Sequence, residues 1–191
     1  MDRPRRSTSL AALLLVASLG YPAAVYLGRS AVPPLAFVAV ALVLLTVRTI
    51  TLEVTAARGQ RGLLIASAVG LAVLAALDPA VAAKAYPVLV SAAVAAVFGI
   101  SLLHPPSLVE RFARMREPEL PAEAREYCRA VTLIWTAWLA VNALVALVLA
   151  IFGSDVAWAL WTGVIAYLIM GALFAGEFVV RRLVIGPRTA A

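Results

Sequence analysis

The sequence predicts an all-α membrane protein of six transmembrane helices arranged as three hairpins, with a short amphipathic helix on one surface. Three observations carry that prediction. First, six apolar blocks divide the chain, at 10–28, 34–47, 63–77, 85–103, 130–153 and 156–180. Hydrocarbon about 30 Å thick takes about 20 helical residues to cross, and most of the blocks approach that length. Second, the blocks show none of the polar–apolar alternation that a membrane β-barrel strand needs. A helix is then the remaining element that satisfies its own backbone in lipid. Third, 14 of the 16 basic residues fall at the two ends and on alternate connections. Arg29 and Lys84 alone remain for the other side. Cytoplasmic loops collect Lys and Arg, so both termini are expected in the cytoplasm.

Arg3, Arg5 and Arg6 precede the first block and imitate a secretory signal. The apolar run continues to Leu27, however, and Tyr21–Pro22 stands where small cleavage-site residues belong, so an uncleaved span is expected. Pro33–Pro34 and Asp78–Pro79 mark helix starts, because proline suits a first turn and disfavours helix in the residue before it. The second span, 34–47, is short and open to extension as far as 55, past Arg48 and Glu53. The outward connections, near 29–33, 78–84 and 154–155, are all brief and force antiparallel neighbours.

The longest connection, 104–129, begins with His104-Pro105-Pro106, which stops the fourth span. Ser107 and Glu110 have capping-box spacing. Leu108, Val109, Phe112 and Met115 fall on one face of the helix they begin, as an interfacial helix requires. Pro118 breaks that helix, and Pro121 starts the one leading into the fifth span. Close helix contacts are expected at Ala66/Gly70, Ala95/Gly99, Gly171/Ala175 and Ala172/Gly176, where small residues recur every fourth position.

Polar residues inside spans are costly and mark candidate sites. The last two spans fold back at Ser154–Asp155, which sets Asn142 level with Tyr167, Trp138 with Gly171, and Glu177 with Thr132. Trp135, Trp138 and Asn142 share one helix face. The structural reading bonds Asn142 to Tyr167 and pairs Glu177 with Arg181 one turn on. The functional reading makes this face a lipid or polyene groove, with Glu177 as a proton-transfer or head-group contact. Trp158 and Trp161 are expected to anchor the outer interface. His104 is the single histidine and, with Glu177, a catalytic candidate. Arg111, Arg114, Arg116, Arg125 and Arg129 form a candidate basic surface for anionic lipid or an acidic acyl carrier protein, although five glutamates dilute it.

Composition excludes several classes. The net charge of +6 is dispersed beside helix ends, which does not suit nucleic acid. One cysteine, Cys128, permits no intrachain disulfide and no thiolate metal cluster, and it reads as a small residue at a helix start. No Walker loop, His-Glu-x-x-His or Gly-x-Ser-x-Gly motif is present. Neither a metal nor a cofactor is expected.

Leu103-His-Pro-Pro-Ser-Leu-Val-Glu-Arg111, Arg116-Glu-Pro-Glu-Leu-Pro121 and Trp158–Gly176 (WALWTGVIAYLIMGALFAG) with Glu177 and Arg181–Arg182 resemble an uncharacterised family of small bacterial inner-membrane proteins. Tyr21-Pro-Ala-Ala-Val-Tyr26 is similar as well. The resemblance covers about half of the chain. It implies a setting among the ketosynthases and acyl carrier proteins of aryl-polyene or xanthomonadin-type pigment synthesis, and no reaction. A ketosynthase itself is rejected, because it needs a nucleophilic cysteine with two histidines in a soluble domain. The preferred expectation is an accessory, scaffold or lipid-handling component. A membrane-embedded acyl or glycosyl transferase and a transporter subunit remain as alternatives.

Overall fold

The computed structural model describes residues 16–18, 20–51 and 58–184, which form helices joined by short turns, with no strand among them. The beginning of the first span, Arg3, Arg5, Arg6 and Arg188, and the extension of the second span beyond Thr51 lie outside the described residues. The helices are α1 (Val16–Gly28, of which Leu19 is not described), α2 (Pro34–Thr51), α3 (Arg58–Leu77) and α4 (Pro79–Leu103). After the short α5 (Leu108–Arg114) comes α6 (Ala122–Phe152). The last rod is α7 (Asp155–Leu160), a π-helical turn at Trp161–Ile165, and α8 (Ala166–Val184).

Three helices are long and apolar enough to cross a membrane: Pro79–Leu103, Ala122–Phe152 and Asp155–Leu183. Val16–Gly28, Pro34–Val47 and Ile65–Leu77 are apolar but shorter. The expected proline boundaries hold. The Asp78 carboxylate accepts the N–H groups of Ala80 and Val81 at 2.9 and 3.1 Å, and Pro79 stands at the first helical position. Two helices extend beyond their apolar blocks. The fourth begins at Pro79, the expected proline boundary, so Lys84 lies inside it, and the fifth begins at Ala122, beside the expected starter Pro121. In both cases a proline, at the first turn or just before it, starts the helix ahead of the apolar run.

The core gathers where α1, α2, α3 and α4 meet the α6–α7 turn. Tyr21, Val25, Phe37, Val38, Ala41, Leu45, Leu71, Ala82, Tyr86 and Ala150 pack there around Trp158. Trp158 is fully buried, which corrects the expectation of an interfacial anchor. The first turn of α7, capped by the Ser154 hydroxyl on the Ala157 N–H, points the indole inward. Close by, Asp155 receives two basic side chains, Lys84 at 2.6 Å and Arg29 at 3.5 Å. Gly153 is required at this turn, since an added methyl would come within 2.7 Å of the Leu149 carbonyl.

The capping box is also corrected. Ser107 makes no capping bond, and its hydroxyl is buried without a partner. The first N–H groups of α5 are received by hydroxyls from neighbouring helices: Leu108 by Ser101 at 2.9 Å and Val109 by Thr132 at 3.4 Å. Glu110 is buried and pairs with Arg114 instead of reaching back to Ser107. Phe112 and Met115 are exposed, but so are Arg111 and Arg114, while Leu108 and Val109 are half-buried, so the exposed side of α5 is mixed. Of the four small-residue pairs, Ala95/Gly99 is packed, with the Gly99 Cβ position 3.4 Å from Thr136, whereas a methyl on Gly70, Gly171 or Gly176 would meet nothing within 4 Å.

Candidate functional site

The site is a groove of about 660 Å³ between α4, α6 and the π turn with α8, closed at one end by α5. It exists because α8 stands away from α6. Their backbones do not pack closely, and large side chains bridge the gap. The Trp135 ring meets Phe174 with centroids 4.5 Å apart, and the Tyr127 hydroxyl lies 3.4 Å from the Glu177 carboxylate. Trp135 and Phe174 are level by the fold-back count, which supports the depth reading. Trp138 does not seat on Gly171, because the helices have diverged there and the space over Gly171 is open. Its ring lies 6.5 Å from that of Trp161, and its indole N–H is buried without a partner.

The walls are apolar: Val90, Val94, Phe98, Leu139 and Met170 line them, among others. Polar groups concentrate at the two ends. At the α5 end stand Glu177 and Arg181, 3.6 Å apart, in the acid-before-base arrangement expected from their spacing. At the other end, Asn142 donates to the Ser91 hydroxyl at 3.0 Å and accepts from the Trp161 indole N–H at 3.0 Å. Both partners differ from the expected Tyr167, which lines the same groove. Trp161 is therefore a half-buried brace to the Asn142 carbonyl, where an interfacial anchor was expected.

The reason lies in the π turn. A π turn carries one extra residue, which rotates the rest of the helix about its axis, and such turns recur at functional sites. Thr162, inside the turn, faces the groove, and Trp161 at its start reaches Asn142 on the groove wall. From Asn142 to Val131 the groove runs along about 16 Å of helix axis.

The catalytic candidates are not brought together. His104 caps the end of α4, with its ring 3.2 Å from the Ile100 carbonyl, and it is not among the residues lining the groove that contains Glu177. Three of the five arginines act as braces. Arg111 donates to the carbonyls of Pro106 and His104, Arg114 holds Glu110 at 2.6 Å, and Arg129 donates to the Leu102 carbonyl. Arg116 and Arg125 are exposed. Cys128 is buried. Among the described residues, no three His, Cys, Asp or Glu side chains gather to hold a metal.

Sequence reasoning missed Ser91, Trp161 and Tyr127 as residues of the groove and its braces. Ser91 carried a usable signal, a lone hydroxyl inside the apolar run Val88–Val97. Tyr127 carried none, since tyrosine is ordinary near a helix start. Comparison of the chain with protein-family models, with curated proteins and with solved structures gives no match.

Proposed function

We propose that this protein is a bacterial inner-membrane component that holds a single-chain acyl or polyene lipid, as an accessory, non-enzymatic part of such a lipid's synthesis or export. In this reading all six apolar helices are membrane-embedded. Both termini are cytoplasmic, and α5 lies on the inner leaflet. The charge pattern supports the orientation: reporter fusions are expected to report an outside location at Asp155 and an inside one at Ala191, and the reverse pattern would overturn it.

One observation carries the lipid reading, namely a long apolar groove with ionisable groups at a single end. Such a shape suits a chain with a head group, since hydrocarbon fills the walls and the head meets Glu177 and Arg181. Arg111, Arg116, Arg125 and Arg129, all exposed, add an inner surface for anionic lipid or an acyl carrier protein, while the charge of Arg114 is offset by Glu110.

The test is to purify the protein and identify the lipid that stays bound by native mass spectrometry. Single-chain lipid is expected to be enriched over the phospholipid of the membrane. Val94→Trp, which fills the groove, should lower its retention by about tenfold with little change in the unfolding midpoint. Bound lipid with the composition of the bulk membrane, or full retention in a folded Val94→Trp protein, would refute the proposal.

A further inference from the structure

We propose that the Asn142 end of the groove reads the far end of its ligand, so that the occupant is a chain bearing an oxygen acceptor at the terminus opposite its head group. This rests on the lipid-groove reading and adds selectivity to it.

The observation that matters is where hydroxyl protons go. A serine or threonine inside a helix ordinarily returns its proton to a carbonyl three or four residues back. Thr46, Ser67, Ser101, Thr132, Thr136 and Thr162 all do so here, at 2.6 to 2.8 Å. Ser91 does not. Its oxygen accepts from Asn142, and its own proton is not returned to α4. The Asn142 carbonyl is taken by Trp161, while its amide has two N–H groups and one of them is used by Ser91.

Each acceptor oxygen of the cluster thus already takes one internal bond, while two of its donors are not paired within it. Those donors, Ser91 O–H and the second Asn142 N–H, belong to residues that line the groove. Val90, Val94 and Leu139, the apolar side chains beside them, offer no acceptor. A hydrocarbon terminus would leave these donors unpaired, which is unfavourable in apolar surroundings. An oxygen at that terminus would accept from them.

Size agrees with this assignment. The separation of about 16 Å between Asn142 and Val131, near the α5 end, suits an extended chain of roughly a dozen carbons. The π turn makes the site by bringing Trp161 onto the Asn142 carbonyl, so that the amide is oriented with its N–H groups free of Trp161.

The experiment compares dodecanoate with ω-hydroxydodecanoate, titrated into the purified full chain and read by native mass spectrometry. The ω-hydroxy acid is expected to bind about threefold to tenfold more tightly. In Ser91→Ala/Asn142→Leu/Trp161→Phe, which removes every donor of the cluster together, this preference should fall to within about twofold, with the unfolding midpoint as the control of folding. Equal or weaker binding of the ω-hydroxy acid by the unaltered protein overturns the inference and leaves the lipid-groove reading standing. A preference retained in the folded variant overturns the assignment of this cluster. Binding of neither acid removes the groove reading itself. The ratio measured on the unaltered protein decides the matter even if the variant does not fold.

Discussion

Replacing Trp158 with alanine is expected to destabilise the protein by about 3–5 kcal/mol, the range for emptying a buried aromatic site. Trp158 is fully buried and belongs to the cluster that joins α1, α2 and α4 to the α6–α7 turn. The cavity would open where four elements meet, and none can move into it without losing contacts with the others. Trp158→Phe should cost far less, because much of the ring remains and the removed indole N–H has no partner. Phe152→Ala provides the contrast. That ring is 82% exposed, and its loss from the same turn should change stability by less than about 1 kcal/mol. Unfolding midpoints of the three variants decide the issue. If Trp158→Ala resembles Phe152→Ala, the indole is an interfacial anchor after all.

The second large effect is expected at Tyr21. Pro87 lies inside α4 and has no N–H to give the carbonyl four residues back, which belongs to Ala83. The Tyr21 hydroxyl supplies the missing donor from α1, 2.7 Å from the Ala83 oxygen. Neighbouring helices commonly satisfy groups that a proline frees in an apolar environment. The same hydroxyl lies 3.2 Å from the Phe37 carbonyl, but it has a single proton and the shorter contact is the principal bond. Tyr21→Phe should therefore strand a buried carbonyl and cost about 1–3 kcal/mol.

Pro87→Ala restores the helix's own donor. In that background Tyr21→Phe should lose less than half as much, a coupling on the order of 1 kcal/mol in a double-mutant cycle read by thermal or denaturant unfolding. Additive losses would show that Tyr21 contributes only packing against Tyr86, whose ring lies 4.7 Å away. The groove is linked to this device through Tyr86. Its hydroxyl bonds Ser18 at 2.9 Å, and both residues line the groove's wall beside Pro87.

Features set by close neighbours along the chain are legible in the sequence. Pro34 and Pro79 start helices where proline geometry says they should, and Glu177 meets Arg181 because they are one turn apart. Most of the expectations that fail at polar groups involve partners on other helices, the local Glu110–Arg114 pair excepted. Spacing nominates Ser107 as a cap, yet Ser101 and Thr132 fill that role, and Glu110 turns inward to Arg114. Counting residues from a turn gives depth but not rotation. It sets Trp135 level with Phe174, as the ring contact bears out, but it carries no sign that Trp161 reaches Asn142.

The sequence by itself therefore determined the helices, most of their boundaries and the segregation of basic residues, because hydrogen bonds within a helix, proline geometry and apolar length act locally. Tertiary structure decided which polar groups meet. The Asn142–Ser91 and Tyr21–Ala83 bonds join residues 51 and 62 positions apart, through rotations of each helix that packing alone sets. The π turn at Trp161–Ile165 and the divergence of α8 are of that second kind. They open the groove, so the feature that carries the functional reading is the one least visible in the chain.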